Sequence, residues 1–237
     1  MKIGGIMSKA LVVLSGGQDS TTCLYWAINE FGHENVSSLS FDYGQRHKIE
    51  LESAKKVAEI AAVANEILPI NTFTALGGNA LTDDINVEQS SDESDSNQLP
   101  NTFVPGRNLI FLTFAAAYAY AHSIDNLVIG VAQTDYSGYP DCRENTLNSL
   151  EQTLRLGMES HITIHTPLMN ISKADTVEMA VKLGAMDAMA YTHTCYNGAQ
   201  PPCQKCDACT LRAKGFAEAN VADPLIERCK FFRNLQK

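Results

Sequence analysis

The stretch ALVVLSGGQDSTTCL, residues 10–24, decides the fold. Four apolar residues, 10–13, are followed by Leu14, two adjacent glycines, an aspartate and four hydroxyl side chains. Glycines let a backbone approach an anion closely, and the free N–H groups at the start of a following helix point toward that anion. A buried strand that ends in such a turn therefore predicts a phosphate-binding loop, although this stretch contains no lysine.

Composition limits the classes of protein that the chain can represent. With 237 residues and 45% hydrophobic content, it can form one large domain, or one domain with a small appendage. The net charge of −9 gives no basic field for nucleic acid or anionic membrane. The longest apolar segment, 109–121, is shorter than the about 20 residues of a membrane span, and no signal peptide is evident, so we expect a cytoplasmic protein.

The hydrophobic pattern predicts an α/β fold with a doubly wound, mostly parallel sheet. Apolar runs at 10–15, 36–42, 66–70 and 126–131 alternate with segments of helical period at 19–31, 46–64, 108–123, 143–157 and 172–184. Ser172 and Asp175 form a capping pattern at the start of the last segment, and Gly184 follows its end. The acidic stretch 83–101 predicts a loop, with or without a role as a lid.

The loop after the first strand matches neither the Walker pattern nor the dinucleotide pattern G-x-G-x-x-G. It reads S-G-G-x-D-S, and it resembles the signature of the PP-loop ATP pyrophosphatases, whose fold is of the adenine nucleotide α-hydrolase type. That resemblance implies a loop that binds the β,γ-pyrophosphate of ATP and leaves the α-phosphorus open to attack. Asp19 is then either a Mg²⁺ ligand or a brace of the loop. The predicted nucleotide-binding residues are Leu14, Ser15, Gly16, Gly17, Gln18, Asp19, Ser20, Thr21, Thr22, Cys23 and Leu24.

Four of the seven cysteines lie close together, at Cys195, Cys203, Cys206 and Cys209. Four thiolates in a turn-rich stretch can close tetrahedrally around one Zn²⁺, and a site filled by sulfur is structural rather than catalytic. A redox pair, an iron–sulfur cluster and unlinked thiols are the alternatives. We therefore predict a nucleotide-binding α/β domain over residues 1–192 and a zinc-binding segment over 193–237.

Three further blocks are unusual in generic α/β proteins: FDYGQRH at 41–47, PGRN at 105–108 and TDYSGYPDCR at 134–143. Together with the loop and the cysteines they resemble the 7-cyano-7-deazaguanine synthase family, from Ala10 to about Phe216. The resemblance implies that ATP activates 7-carboxy-7-deazaguanine, that ammonia gives an amide, and that a second activation leaves a nitrile. It also implies a bound zinc, Mg²⁺ with ATP, and a homodimer. The chain departs from the family pattern at Gln204, where glycine is usual, and Met7 is an alternative start.

Several residues in these blocks suit that chemistry. A guanine-like edge presents two donors that fit a carboxylate, which makes Asp135 or Asp141 the candidate. Tyr136 and Tyr139 could stack on the bicyclic ring. The predicted catalytic groups are Asp19, Arg107 and Lys173, and Arg107 or Arg143 would hold the carboxylate or the α-phosphate. Helix capping, loop packing and simple solvation are the ordinary alternatives for these side chains.

Two rival functions use parts of the same pattern. A PP-loop enzyme that modifies tRNA by thiolation or lysidine formation would keep the ATP loop, but it needs a basic surface for tRNA. A non-catalytic, zinc-stabilised binding module would explain the cysteines but not the S-G-G-x-D-S loop.

Overall fold

The computed structural model describes residues 8–70, 72–77, 80–83, 99, 101–133 and 139–235. Its centre is a five-stranded sheet in which every pairing is parallel, with the strand order β3-β2-β1-β4-β5. The strands are β1 (Ala10–Val13), β2 (Val36–Asp42), β3 (Asn65–Pro69), β4 (Asn126–Ile129) and β5 (Thr163–His165). The predicted parallel sheet is confirmed. The pattern missed β5, because three residues with one aliphatic side chain give no apolar run.

Helices cover both faces of this sheet. Within the described residues they are α1 (Gln18–Phe31), α2 (Ile49–Ile60), α3 (Phe73–Leu76), α4 (Arg107–Ala121), α5 (Glu144–Met158), α6 (Lys173–Lys182), α7 (Met186–Met189), α8 (Asp207–Glu218) and α9 (Pro224–Leu235). The five predicted helices are present within a few residues, and the capping box of Ser172 and Asp175 is confirmed. The periodicity missed the two short helices and the two C-terminal ones. No helix among the described residues has the length and apolar character needed to cross a bilayer.

Side chains of β1 alternate between two hydrophobic cores. Leu11 and Val13 point into the core beneath α4 and α5, whereas Ala10, Val12 and Leu14 point into the core beneath α1 and α2. A strand buried on both faces reads as a continuous apolar run, which is why the sequence located β1 so clearly. The central strand is thereby fixed from two sides, and the loop that leaves it starts from a rigid base.

The direction of strand progression reverses between β1 and β4. From β1 the chain moves outward through β2 to β3, and it then crosses back to β4 and β5 on the other side. Ligands of doubly wound folds bind at the carboxyl ends of the strands at such a switch point. The loop after β1, residues 15–20, lies at this position and is called the phosphate loop below.

Candidate nucleotide site and metal centre

Gly16 gives the phosphate loop its sharp turn. Its φ of 84° lies in the left-handed region, and a Cβ at this position would overlap the carbonyl oxygen of Glu50 and lie 2.6 Å from the amide nitrogen of Ala54. The first turn of α2 therefore packs directly on the loop backbone. Any larger residue at position 16 would separate the loop from α2.

Hydroxyl groups of the phosphate loop hold its shape by internal hydrogen bonds. The backbone N–H of Ser15 donates to Oγ of Ser20 at 3.2 Å, and the two Oγ atoms lie 3.0 Å apart. The hydroxyls of Ser20 and Thr21 donate to the carbonyl oxygen of Gly17 at 3.1 and 2.8 Å. Gly17 is the N-cap of α1 and supplies no side chain, so the first N–H groups of the helix carry no side-chain cap. Such a helix start suits an anion.

The later residues of the predicted stretch lie inside the protein. Leu14, Cys23 and Leu24 are fully buried in the core beneath α1 and α2, and the Thr22 hydroxyl donates to the Gln18 carbonyl within the helix. Their side chains anchor the loop. Gln18 is only 3% exposed, and its Nε2 has no hydrogen-bond partner within the described part of the chain.

Asp19 and Lys173 form an ion pair at the mouth of the phosphate loop. Lys173 Nζ donates to both carboxylate oxygens, at 3.0 and 2.9 Å, and connects the start of α6 with the first turn of α1. The sequence analysis named both residues as catalytic candidates without linking them. The structure places them in contact although they are 154 residues apart in the chain. Both oxygens of Asp19 therefore accept from a cation, and the choice between a Mg²⁺ ligand and a brace of the loop stays a prediction.

Gly130, which the sequence analysis did not single out, lets the segment after β4 pack against the start of α1 at the switch point. A Cβ here would lie 2.8 Å from the backbone carbon of Asp19 and 2.8 Å from the amide nitrogen of Ser20. The chain leaving β4 thus touches the first turn of α1. Only the glycine after an apolar run could have indicated this contact, and that signal is common at strand ends.

Arg107, at the first position of α4, is surrounded by acidic and phenolic groups. Burial by itself would lower its pKa, but Tyr43, Tyr139 and Tyr196, with Glu50, raise it, so the guanidinium stays charged. Burial raises the pKa of Glu50 to about 7, and Arg107 opposes this only in part. The cluster joins the FDYGQRH and PGRN blocks of the sequence at one place. Glu50 and Tyr196 were not predicted, because neither belongs to a recognisable local pattern.

The predicted substrate residues lie in several environments. The Asp141 carboxylate is 4% exposed and accepts the Asn108 backbone N–H at 3.0 Å, so it caps α4. The Tyr139 hydroxyl lies 2.6 Å from the Thr102 hydroxyl. A cavity of about 410 Å³ opens beside them and is lined by Ala132, Gln133, Tyr139, Cys142, Arg143, Glu144 and Asn145. Asp135, Tyr136, Met7 and most of the acidic stretch 83–101 lie outside the described residues, so those predictions stay predictions.

The four clustered cysteines converge on one point. Their sulfur atoms all lie within 4.8 Å of one another, and Sγ of Cys203 is 3.9 Å from Sγ of Cys209. A tetrahedron with metal–sulfur bonds of about 2.3 Å has edges of about 3.8 Å, so the spacing fits one metal ion. The hydrogen bond between the Cys206 and Cys209 side chains lowers the pKa of Cys206 and raises that of Cys209, so the metal-free pair shares one proton between a thiolate and a thiol. Four cysteines in this arrangement can bind a metal.

The metal centre lies directly against the phosphate loop. The backbone N–H of His193, two residues before Cys195, donates to the carbonyl oxygen of Gly16 at 2.9 Å, and its imidazole lies 2.9 Å from the Cys195 carbonyl oxygen. At the other end, a Cβ on Gly198 would overlap the imidazole ring of His47. The boundary predicted at residue 192 therefore falls within a continuous packed region, and the division into two units stays a prediction.

The parallel sheet and the S-G-G-x-D-S loop at its switch point define the class of PP-loop nucleotide-binding α/β proteins. The family model described as Queuosine biosynthesis protein QueC matches residues 9–220. The chain belongs to this family.

Two relatives and one solved structure are similar to the chain. It is 63% identical over 222 residues to the 7-cyano-7-deazaguanine synthase of Chromobacterium violaceum, covering 94% of both chains. It is 49% identical over 216 residues to the 7-cyano-7-deazaguanine synthase of Bacillus subtilis, covering 90% of this chain and 95% of that one. The U34-tRNA thiolase NcsA from Methanococcus maripaludis, solved with its [4Fe-4S] cluster, aligns with a TM-score of 0.49 and 16% identity over 97% of this chain and 72% of that one.

Proposed function

We propose that the protein is an ATP-dependent ligase that converts 7-carboxy-7-deazaguanine and ammonia to 7-cyano-7-deazaguanine. The proposal rests on membership in the QueC family and on 63% identity to a relative named 7-cyano-7-deazaguanine synthase. The phosphate loop supports it, because the geometry around Gly16 and Gly17 leaves helix N–H groups available to a polyanion.

The reaction we propose uses the nucleotide site twice. The substrate carboxylate attacks the α-phosphorus of ATP, pyrophosphate leaves, and ammonia displaces AMP to give an amide and a proton. The amide oxygen then attacks the α-phosphorus of a second ATP, pyrophosphate leaves, and the nitrogen loses one proton. Loss of AMP with the remaining N–H proton then leaves the nitrile. Both carboxylate oxygens depart in the two AMP molecules. No oxidant or reductant is needed.

The phosphate loop would hold the departing pyrophosphate in both activations. Backbone N–H groups of Gly16, Gly17 and the first turn of α1 would donate hydrogen bonds to this leaving group as its negative charge develops. When ATP binds, the Lys173 ammonium group could exchange its hydrogen bond with Asp19 for one with a phosphate oxygen. Arg107 would bind the substrate carboxylate or the α-phosphate.

Magnesium would enter together with ATP, as charge compensation for its phosphates. Asp19 accepts from Lys173 through both oxygens, whereas the Asp42 carboxylate, at the end of β2, accepts a long hydrogen bond from the Gly44 N–H at 3.4 Å. Asp42 is therefore the better candidate to hold the ion.

The deazaguanine acid would bind near the cavity between β4 and α5. Arg143 and Tyr139 line that cavity. The buried Asp141 suits a role in holding the start of α4, and hence Arg107, in place. Asp135 and Tyr136 remain the candidates for reading and stacking on the base. Replacement of Asp135 by Asn should weaken binding of the acid and leave ATP affinity unchanged; unaltered acid affinity would remove Asp135 from this role.

The metal bound by the four cysteines is proposed to be one structural Zn²⁺ per chain. Sulfur atoms packed within 4.8 Å suit a single ion, whereas a four-iron cluster needs its thiolates spread around a larger core. Elemental analysis of protein purified without added metal should find about one zinc per chain. Iron with acid-labile sulfide would reject this assignment.

Three further proposals concern the surroundings of the enzyme. We propose a homodimer, supported by the exposed apolar side chains Phe114, Tyr120 and Leu156 on α4 and α5. We propose no nucleic-acid partner, because the net charge is −9. A cytoplasmic location would keep the clustered thiols reduced. Sedimentation equilibrium tests the first of these.

The decisive experiment supplies the purified protein with Mg·ATP, ammonia and either 7-carboxy-7-deazaguanine or bulk tRNA. We expect AMP, pyrophosphate and a nitrile product, detected by mass, only with the small acid. Release of ADP and orthophosphate would refute the role of the phosphate loop. AMP formation dependent on tRNA would favour the tRNA-modifying alternative, and failure to bind Mg·ATP would favour a non-catalytic module.

A further inference from the structure

We propose that α8, the helix that starts within the cysteine centre, is a positioning element of the nucleotide site. In this proposal Gly215 is the positioning residue, and it acts by holding Lys173 against Asp19. The inference rests on the proposed function, since it assigns the cysteine segment a part in ATP activation beyond stabilising the fold.

The first observation is the close approach between α8 and the start of α6. A Cβ added to Gly215 would lie 2.7 Å from Cγ of Lys173, and 3.1 Å from both its Cβ and its carbonyl oxygen. Ordinary van der Waals contact begins near 3.4 Å. The backbone of α8 at Gly215 thus packs directly against the aliphatic part of the Lys173 side chain.

The second observation is how completely Lys173 is confined. Its side chain is 9% exposed, and its Nζ donates to both oxygens of Asp19. Its backbone is fixed as well, because it is the first residue of α6 and follows the Ser172 capping box. A lysine side chain normally adopts several rotamers. The packing contact on its methylene groups restricts these rotamers and directs the ammonium group toward the phosphate loop.

The third observation is that α8 is fixed by the metal centre and by one buried arginine. Cys206 is the N-cap of α8 and Cys209 lies in its first turn, so two of the four sulfur ligands set the start of the helix. Further along, Arg212 is 4% exposed and donates through Nε and Nη2 to Asp223 at 2.7 and 2.8 Å. Its Nη1 donates to Thr192 at 2.8 Å.

These contacts form one continuous connection from the cysteines to the phosphate loop. The metal ligands and Arg212 fix α8, Gly215 of α8 confines Lys173, and Lys173 holds Asp19. A methyl group at position 215 must move Lys173 by about 0.7 Å to reach ordinary contact distance. Misplacement of about 1 Å in a catalytic group can cost about a hundredfold in rate, so we expect a loss between about tenfold and a hundredfold.

The test is a double-mutant cycle on Gly215→Ala and Lys173→Ala, followed by the rate of AMP release at saturating Mg·ATP, acid and ammonia. We expect G215A to lower kcat by about tenfold to a hundredfold, and K173A to lower it at least as much. The double variant should match K173A within about twofold, because Gly215 acts only through the lysine. Ala217→Ser, which adds an atom at an exposed position of the same helix, should stay near wild type.

Zinc content and thermal melting of each variant separate positioning from a general loss of structure. A purely structural glycine would lower kcat by the same factor in the wild-type and K173A backgrounds, and that result, or a G215A rate within about twofold of wild type, would overturn the proposal. If G215A does not fold, recovery of folded protein in the double variant supports the contact with Lys173, and failure of both variants rejects it.

The design also distinguishes the failure of this inference from the failure of the proposed function. If the wild-type protein releases no AMP with the acid and ammonia, the proposed function fails. The same four proteins are then compared by calorimetric titration with Mg·ATP. The positioning role of Gly215 is supported if G215A raises the dissociation constant for Mg·ATP in the wild-type background but not in the K173A background. It is refuted if G215A raises the dissociation constant by the same factor in both backgrounds.

Discussion

Glu50 allows a quantitative prediction about stability. Burial raises the pKa of its carboxyl group from 4.5 to about 7, with partial opposition from Arg107. Between these two values the folded chain holds a proton that the unfolded chain has already released. Stability therefore falls as pH rises through this window, and above about pH 7 the whole penalty is present. A difference of about 2.5 pKa units corresponds to about 3 kcal/mol.

Glu50→Gln removes the titration while keeping the size of the side chain. Relative to wild type, the variant should gain up to about 3 kcal/mol in unfolding free energy between pH 4.5 and pH 8. Urea unfolding followed by fluorescence of the single tryptophan, Trp26, at several pH values gives this difference directly. The metal content must be the same in each sample, because a bound metal adds its own stabilisation.

The matched control is Glu52→Gln, two residues along the same helix. The Glu52 side chain is 71% exposed and pairs with Lys55, also at the surface. Its replacement should change the unfolding free energy by less than about 1 kcal/mol at any pH in the range. If the unfolding free energies of E50Q and wild type, plotted against pH, stay parallel from pH 4.5 to 8, the reasoning is refuted, because the Glu50 carboxyl then has the same pKa in the folded and the unfolded chain.

Three further substitutions test the packing around the site. Gly16→Ala combines a φ of 84° with overlap on α2, so it should abolish Mg·ATP binding in calorimetry while the metal content stays the same; near-normal affinity would contradict the loop geometry. Arg212→Met leaves the Asp223 side chain, which is only 11% exposed, without its cationic partner and should cost about 3 to 5 kcal/mol in urea unfolding, whereas a cost below about 1 kcal/mol would show that the pair is dispensable. Gln204 has a φ of 58°, so Gln204→Gly should raise stability by about 1 kcal/mol, and a lower melting temperature would count against strain at this turn.

Local patterns predicted the elements whose cause is local. The apolar run of β1 and the capping box at Ser172 were both readable, because each depends on residues close together in the chain. The convergence of four cysteines was readable for the same reason. The helices α8 and α9 were not predicted, and α8 begins inside the cysteine stretch, where Cys206 is its N-cap.

The sequence by itself determined the parallel α/β fold, the position of the glycine-rich loop after β1, the cluster of four cysteines and the resemblance to a family, because short-range spacing encodes each of these. Only the tertiary structure decided that Lys173 pairs with Asp19, that Gly130 closes the switch point and that Gly215 confines a lysine of another helix. These contacts join residues far apart in the chain. Their distances follow from how helices pack on both faces of the sheet, and no local pattern carries that information.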